Sequence, residues 1–247
     1  MEKIRVDVSG RGGLGFVIKH NADDVLKKLT NLERKQLPFA IALGLTRTAQ
    51  GAIRAQKKEM RSVFDRPTPY TVGALKYLPA DKRDTPIKSA IFLAEFAGKG
   101  TPADRYLGPH IFGTMRKQKP HERRLMGKGL ISAGYGTAPA DDAELNRYGN
   151  IKPSTYAKIL SEVGALGDQS FTGRRKKKKK YYVAYKNGKA VGIRERQGNY
   201  SKKILNFARI KTSRKIYDYY GLTTKYVRAN VQKDFNNAFR YAMRTAK

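Results

Sequence analysis

From Phe39 onward, Leu43, Ala49, Ile53, Met60 and Phe64 recur every three or four positions, while Arg47, Arg54, Lys57, Lys58 and Arg61 fill the other faces. That spacing predicts one long amphipathic helix, with Pro38 marking its start. At 1.5 Å per residue it runs to about 40 Å. Pro67 and Pro69, in Arg66-Pro-Thr-Pro69, push the residues before them into extended geometry and end it. Near the other end of the chain, Val227, Val231, Phe235, Phe239 and Met243 advance by four behind a cap at Thr223 or Thr224. Lys225, Arg228, Lys233, Arg240 and Arg244 occupy the opposite face. Each helix has an apolar stripe that must be covered.

The covering layer reads as strands. Ile4, Val6 and Val8 alternate with Arg5 and Asp7, and Gly10-Arg-Gly-Gly-Leu-Gly15 ends that run. The glycines spell G-x-G-x-x-G, but a dinucleotide site needs the third glycine inside a helix, and Phe16-Val-Ile-Lys that follows is strand-like. The segment reads as a turn. Asn21 caps a short helix carrying Val25, Leu29 and Leu32. Ile87 to Phe96 is a buried strand with Ile87, Ser89, Ile91 and Leu93 on one face and Ala90, Phe92 and Ala94 on the other. Between Gly98 and Gly149 the pattern is irregular apart from a short helix at Pro120–Met126.

Pro153 opens a helix with Tyr156, Ile159, Leu160 and Val163 on one side. Tyr181–Lys186, Asn187-Gly188 and Lys189–Arg194 form a hairpin, because Asn-Gly supplies both positive-φ positions of a type I′ turn. Ile204, Asn206, Ala208 and Ile210 continue in strand style, followed by Tyr217, Tyr219 and Tyr220. The order argues for an α+β fold, a mostly antiparallel sheet packed by long amphipathic helices near the N-terminus and at the C-terminus. Residues 1–247 are read as one structural domain, with an irregular insertion at about 98–150 and a basic loop at about 167–180.

Chemistry-bearing patterns are absent. The chain has no cysteine, so disulfides, thiolate nucleophiles and Cys-ligated metals are excluded. His20, His110 and His121 are scattered without the companions of a metal site. Asp23-Asp24 and Asp141-Asp142 are adjacent pairs that diverge on a helix and read as caps and loop residues. No G-x-S-x-G and no P-loop occurs. The expectation is a protein without catalytic residues, cofactor or metal. The apolar runs around Phe39–Leu45 and Ala90–Ala97 fall short of the ~20 residues of a membrane span. Met1-Glu-Lys-Ile-Arg-Val-Asp-Val lacks the basic-then-apolar order of a secretion signal.

Charge then dominates. Lys and Arg number 52 against 20 Asp and Glu, leaving a net +32. From Arg174 to Lys203 there are 13 cations and Glu195 alone opposes them. Arg174, Arg175, Lys176, Lys177, Lys178, Lys179 and Lys180 form an unbroken run, with Lys186 and Lys189 at the hairpin turn. These nine are the candidate polyanion-binding residues, since each phosphate they neutralise releases a counterion. A solvated loop is the plainer reading of seven consecutive cations. None of the base-reading motifs is present, so contact would be independent of sequence. A freestanding nucleic-acid-binding protein is the alternative that this charge supports.

Several segments together resemble the minor tail and tail-completion proteins of long-tailed bacteriophages, a group related to neck and head–tail joining components. They are Ala42-Leu-Gly-Leu-Thr-Arg-Thr-Ala-Gln50, Met60-Arg-Ser-Val-Phe-Asp-Arg-Pro-Thr-Pro-Tyr70, Tyr106-Leu-Gly-Pro-His-Ile-Phe-Gly113, Gly149-Asn150 and the hairpin ending Gly192-Ile-Arg-Glu-Arg196. The resemblance implies a structural virion protein, assembled in the host cytoplasm, that forms a homo-oligomeric ring around the tail axis and completes the tail for joining to the head. It implies other virion proteins as partners: the connector, the tail terminator or the tail tube. It carries over no catalytic residue. The Lys-rich run departs from the family pattern, and contact of Lys176–Lys180 with packaged DNA is read from charge alone.

Overall fold

Thr30 and Glu33 cap the first long helix reciprocally. The Thr30 hydroxyl accepts from the Glu33 amide at 3.4 Å, and the Glu33 carboxylate accepts from the Thr30 amide at 2.8 Å. Helix α1 therefore spans Asn31–Val63, 33 residues and about 50 Å. The computed structural model describes residues 6–7, 15–19, 30–94, 101–166 and 179–246. The helix expected at Asn21 and the Gly10–Gly15 turn fall largely outside them.

The expected start at Pro38 is corrected: Pro38 lies inside α1. A proline there forfeits one backbone hydrogen bond and costs about 3 kcal/mol. The capping box upstream, with buried Leu37 and Ile41 contributing about 1.5–3 kcal/mol each, offsets that cost. At the other end Phe64 leaves the helix, and Arg66 at φ 45° with Pro67 and Pro69 turns the chain into the short helix α2, Pro69–Gly73.

The described chain forms two compact units, residues 1–114 with 214–247, and residues 115–213. In the first, strands β1 (Val6–Asp7), β2 (Gly15–Lys19), β3 (Leu75–Leu78) and β4 (Lys88–Leu93) make an antiparallel sheet in the order β1-β2-β4-β3. Ile87, Ser89, Ile91 and Leu93 are buried, the face expected from their alternation. Helix α3, Ala103–Phe112, adds Leu107 and Ile111 to the same core and ends at Gly113 with φ 70°.

Helix α6, Tyr219–Arg244, lies against α1. Gly44 allows the approach: a Cβ there would sit 3.0 Å from Phe235 Cα. The Thr48 hydroxyl donates to Asp234 Oδ2 at 2.9 Å beside it. The cap expected at Thr223 or Thr224 is corrected to Asp218, whose carboxylate accepts from the Gly221 amide. Thr223 is interior to the helix. Its hydroxyl donates to Tyr219 O and accepts from Gln56 Nε2, while Gln56 Oε1 accepts from the Tyr217 hydroxyl at 2.6 Å. Tyr219 donates its hydroxyl to Ile91 O, tying α6 to the sheet. The carboxyl-terminal helix is anchored by polar bonds that its apolar stripe alone does not announce.

The second unit holds helix α4 (Pro120–Gly127), strand β5 (Tyr135–Pro139), helix α5 (Pro153–Glu162) and strands β6 (Tyr181–Lys186), β7 (Lys189–Gln197) and β8 (Tyr200–Arg209). Its sheet order is β5-β8-β7-β6, all antiparallel. Asn187 and Gly188 adopt φ 50° and 73° and close the β6–β7 hairpin as expected. Leu125, Ile159, Leu160, Ile193 and Leu205 form the core under the helices. The α+β class stands, with antiparallel strands arranged in two four-stranded sheets where one was expected. The stretch expected to be irregular contains α3 and β5 as well as α4.

Candidate polyanion-binding surface

Of the nine candidate residues, Arg174, Arg175, Lys176, Lys177 and Lys178 lie outside the described residues. Lys179 and Lys180 lead into β6. Lys180 Nζ pairs with Glu195 Oε1 at 2.8 Å, and that hydrogen bond raises its pKa. Lys186 and Lys189 are exposed cross-strand partners at the turn. Like charges directly opposite each other are unfavourable in a hairpin unless an anion lies near. The structure thus brings Lys179 and Lys180 to one end of β6 and Lys186 and Lys189 to the other.

Between those ends runs a row of cations that the candidate set left out. Register pairs Tyr182 with Arg194, Arg194 with Lys203, and Arg196 with Ser201. Because side chains alternate along a strand, Arg194 and Arg196 share the face opposite buried Ile193. Arg196 Cζ stands 4.8 Å from the Tyr182 ring centroid, which fixes the guanidinium plane. Small residues keep the middle low: Ala184, Gly192 and Asn206 help to line a hollow of about 150 Å³ beside Arg194 and Lys203. At the β7–β8 turn a wider groove of about 600 Å³ is lined by Lys179, Lys180, Tyr182, Arg196, Asn199 and Tyr200, among others. Tyr200 is 83% exposed, an unusual setting for so large a ring.

Asp141 also lines the hollow beside Arg194 and Lys203, yet it forms no ion pair with either of them. Four ion pairs occur among the described residues: Arg66–Asp65, Arg83–Asp81, Arg116–Glu122 and Lys180–Glu195. Arg194, Arg196, Lys203, Lys186 and Lys189 are in none of them. Asp142, the nearest acid by hydrogen bonding, takes the Lys203 backbone amide at 2.9 Å.

The one fully buried carboxylate among the described residues is structural. Glu122 accepts from both terminal nitrogens of Arg116 at 2.7 and 2.8 Å, from the amides of Lys119 and Thr137, and from the Thr137 hydroxyl. Burial alone would raise its pKa. The Arg116 guanidinium and the two amides outweigh burial and bring it down to about 2. With its oxygens so occupied it cannot serve as a general base. Neighbouring His121 stacks on Tyr156 at 4.3 Å and shares a 2.9 Å hydrogen bond with Thr137, and burial lowers its pKa to about 4.

His110 lies edge-on to Phe64 in the first unit, and burial lowers its pKa too. His20, Asp23 and Asp24 lie outside the described residues. Among the described residues no group of His, Asp or Glu is placed to hold a metal ion, and no helix is long and apolar enough to cross a membrane. No family model, curated protein or solved structure matches the chain.

That Arg194 and Arg196 share a face was recoverable from the sequence. Arg-Glu-Arg after an Asn-Gly turn is a period-two signal that puts both arginines on one face. The row across to Lys203 needed the strand register.

Proposed function

We propose that the chain is a structural protein of a tailed-phage particle that completes the tail at the head–tail junction. It assembles in several copies as a ring, and its cationic sheet face meets the backbone of packaged DNA. The observation that supports DNA as the partner is the row of Arg194, Arg196 and Lys203, in no ion pair among the described residues and flanked by Lys186 and Lys189. Its place in the particle rests on the resemblance of the Ala42–Gln50, Met60–Tyr70 and Tyr106–Gly113 segments to tail-completion proteins.

Residues two apart on a strand are spaced by about 6.6 Å, and neighbouring strands by about 4.8 Å. The row therefore covers a patch about 7 Å long, over which duplex DNA presents about four phosphates. Three cations on such a patch neutralise part of that charge and release counterions, which gives affinity without reading bases. Screening by salt keeps each contact exchangeable, so a DNA end is retained yet free to leave.

Deleting the reading frame from the phage genome that carries it tests the placement. Filled heads and separate, unjoined tails in electron micrographs are the expected result. Normal infectious particles would overturn it. A freestanding nucleic-acid-binding protein would instead leave particle assembly intact and elute as a monomer or dimer on sizing chromatography.

A further inference from the structure

A second cationic cluster lies in the other unit, where α1 meets the last turns of α6. Arg47 projects from the middle of α1, and Arg240 and Arg244 stand one turn apart on α6. Arg47 and Arg244 flank Tyr241, and Arg240 lines the same groove. Arg47 Cζ and Arg244 Cζ lie 5.8 and 5.9 Å from the Tyr241 ring centroid, and the ring rests against Phe39 at 6.5 Å. Arg240 Nη2 donates to Asn237 Oδ1 at 2.6 Å. Together with Asn237 and Tyr241 these arginines line an open groove of about 410 Å³.

We infer that this groove is a phosphodiester-binding site, a second point at which the protein holds a nucleic-acid backbone. Like charges one turn apart on a helix are destabilising, and a third guanidinium from another helix adds to the repulsion. None of the three forms an ion pair among the described residues. The negative end of the α6 dipole accounts for cations at Arg244 and in part at Arg240. It does not account for Arg47, far from either end of α1.

What the geometry offers is a set of planar donors already oriented. Cation–π contact holds Arg47 and Arg244 at the Tyr241 ring, and a side-chain amide holds Arg240, so little freedom is lost when an oxyanion arrives. Arginine forks match phosphate oxygens two at a time. Tyr241 is 39% exposed and lines the groove with them. The choice of nucleic acid over free phosphate as ligand rests on the DNA-binding reading above.

The test compares the full-length protein with a variant carrying Arg47→Gln, Arg240→Gln and Arg244→Gln, by fluorescence anisotropy on duplex DNA from about 50 to 200 mM salt. Removing three phosphate contacts lowers the slope of log affinity against log salt by about 2.7. A variant with Lys57, Lys58 and Arg61 replaced by Gln removes the same charge from α1 without touching Tyr241, and its slope changes less. Equal changes in the two variants overturn the inference, because they mean diffuse charge and not a site. An unchanged slope in the arginine variant, with wild-type slope steep, also overturns it while leaving DNA binding by the sheet face in place. If wild type binds no duplex at all, the DNA reading falls and this inference with it. Inorganic phosphate is the competing arm: it weakens wild type on DNA only at concentrations that total ionic strength explains. Competition by phosphate well beyond an equal ionic strength of chloride assigns the groove to the free ion and overturns nucleic acid as its ligand. Arg47→Lys, Arg240→Lys and Arg244→Lys together keep the charge, so retained slope with lowered affinity confirms that planar geometry matters.

Discussion

Replacing Glu122 by Gln removes the charge at the centre of the second unit's polar clasp while keeping its shape. The carboxyl is held at about 2 against an ordinary 4.5, a difference worth about 3 kcal/mol at 1.36 kcal/mol per pH unit. Because the folded pKa is the lower one, that stability is present above pH 4.5 and is lost as pH falls from 4.5 towards 2. Glutamine still accepts from the Thr137 or Lys119 amide but leaves Arg116 without its counter-charge. The expected cost at pH 7 is therefore about 2 kcal/mol, or roughly 8–16 °C in the melting midpoint of a unit of this size. Thermal melts at pH 7 and hydrogen exchange at the Thr137 amide across the acid range read both effects. His121 adds a separate, earlier step: its folded pKa of about 4 lies below the ordinary 6.5, so stability declines as pH falls from 6.5 to about 4 in both proteins. A variant that melts within about 2 °C of wild type, or loses the same stability as wild type between pH 4.5 and 2, refutes the reasoning.

Three further outcomes follow from other contacts. Gly192→Ala places a Cβ against Leu205 O in the centre of the sheet, so the β7–β8 ladder must part; chemical denaturation should show the second unit destabilised by about 3 kcal/mol or more. Gln56→Leu strands the Tyr217 hydroxyl in the first unit's core and takes a donor from the Thr223 hydroxyl and the Tyr219 carbonyl, and should cost about 2–3 kcal/mol by the same assay. Changing Arg194, Arg196 and Lys203 together to Gln should weaken binding to unrelated duplexes equally and cut the salt slope by about 2.7, measured by fluorescence anisotropy.

Where periodicity was strong, the sequence carried the fold. Ile87, Ser89, Ile91 and Leu93 are buried in strict alternation, Asn187-Gly188 turns the hairpin, and Val227, Val231, Phe235 and Phe239 line the inner side of α6. Boundaries set by side-chain bonds were harder to see. Pro38 looks like a helix start, yet the Thr30–Glu33 box acts a full two turns earlier. Thr223 looks like a cap, yet its hydroxyl serves Gln56 inside the core. Helix α3 hides because Gly108-Pro109 interrupts it, and only Ala103, Leu107 and Ile111 at every fourth position give it away. The candidate site was legible as charge and not as arrangement. Counting cations finds Lys186 and Lys189, but the row through Arg194 and Lys203 depends on strand pairing, and the Arg47–Tyr241–Arg244 cluster joins residues nearly two hundred positions apart.

Whether this chain sits in a tailed-phage particle beside DNA is tested most directly by a density map of the intact particles made by the phage whose genome encodes it. The account predicts a ring of copies at the head–tail junction, with Arg194, Arg196 and Lys203 of each copy within hydrogen-bonding reach of DNA phosphates. The same side chains turned to open solvent, with no nucleic acid beside them, would contradict it.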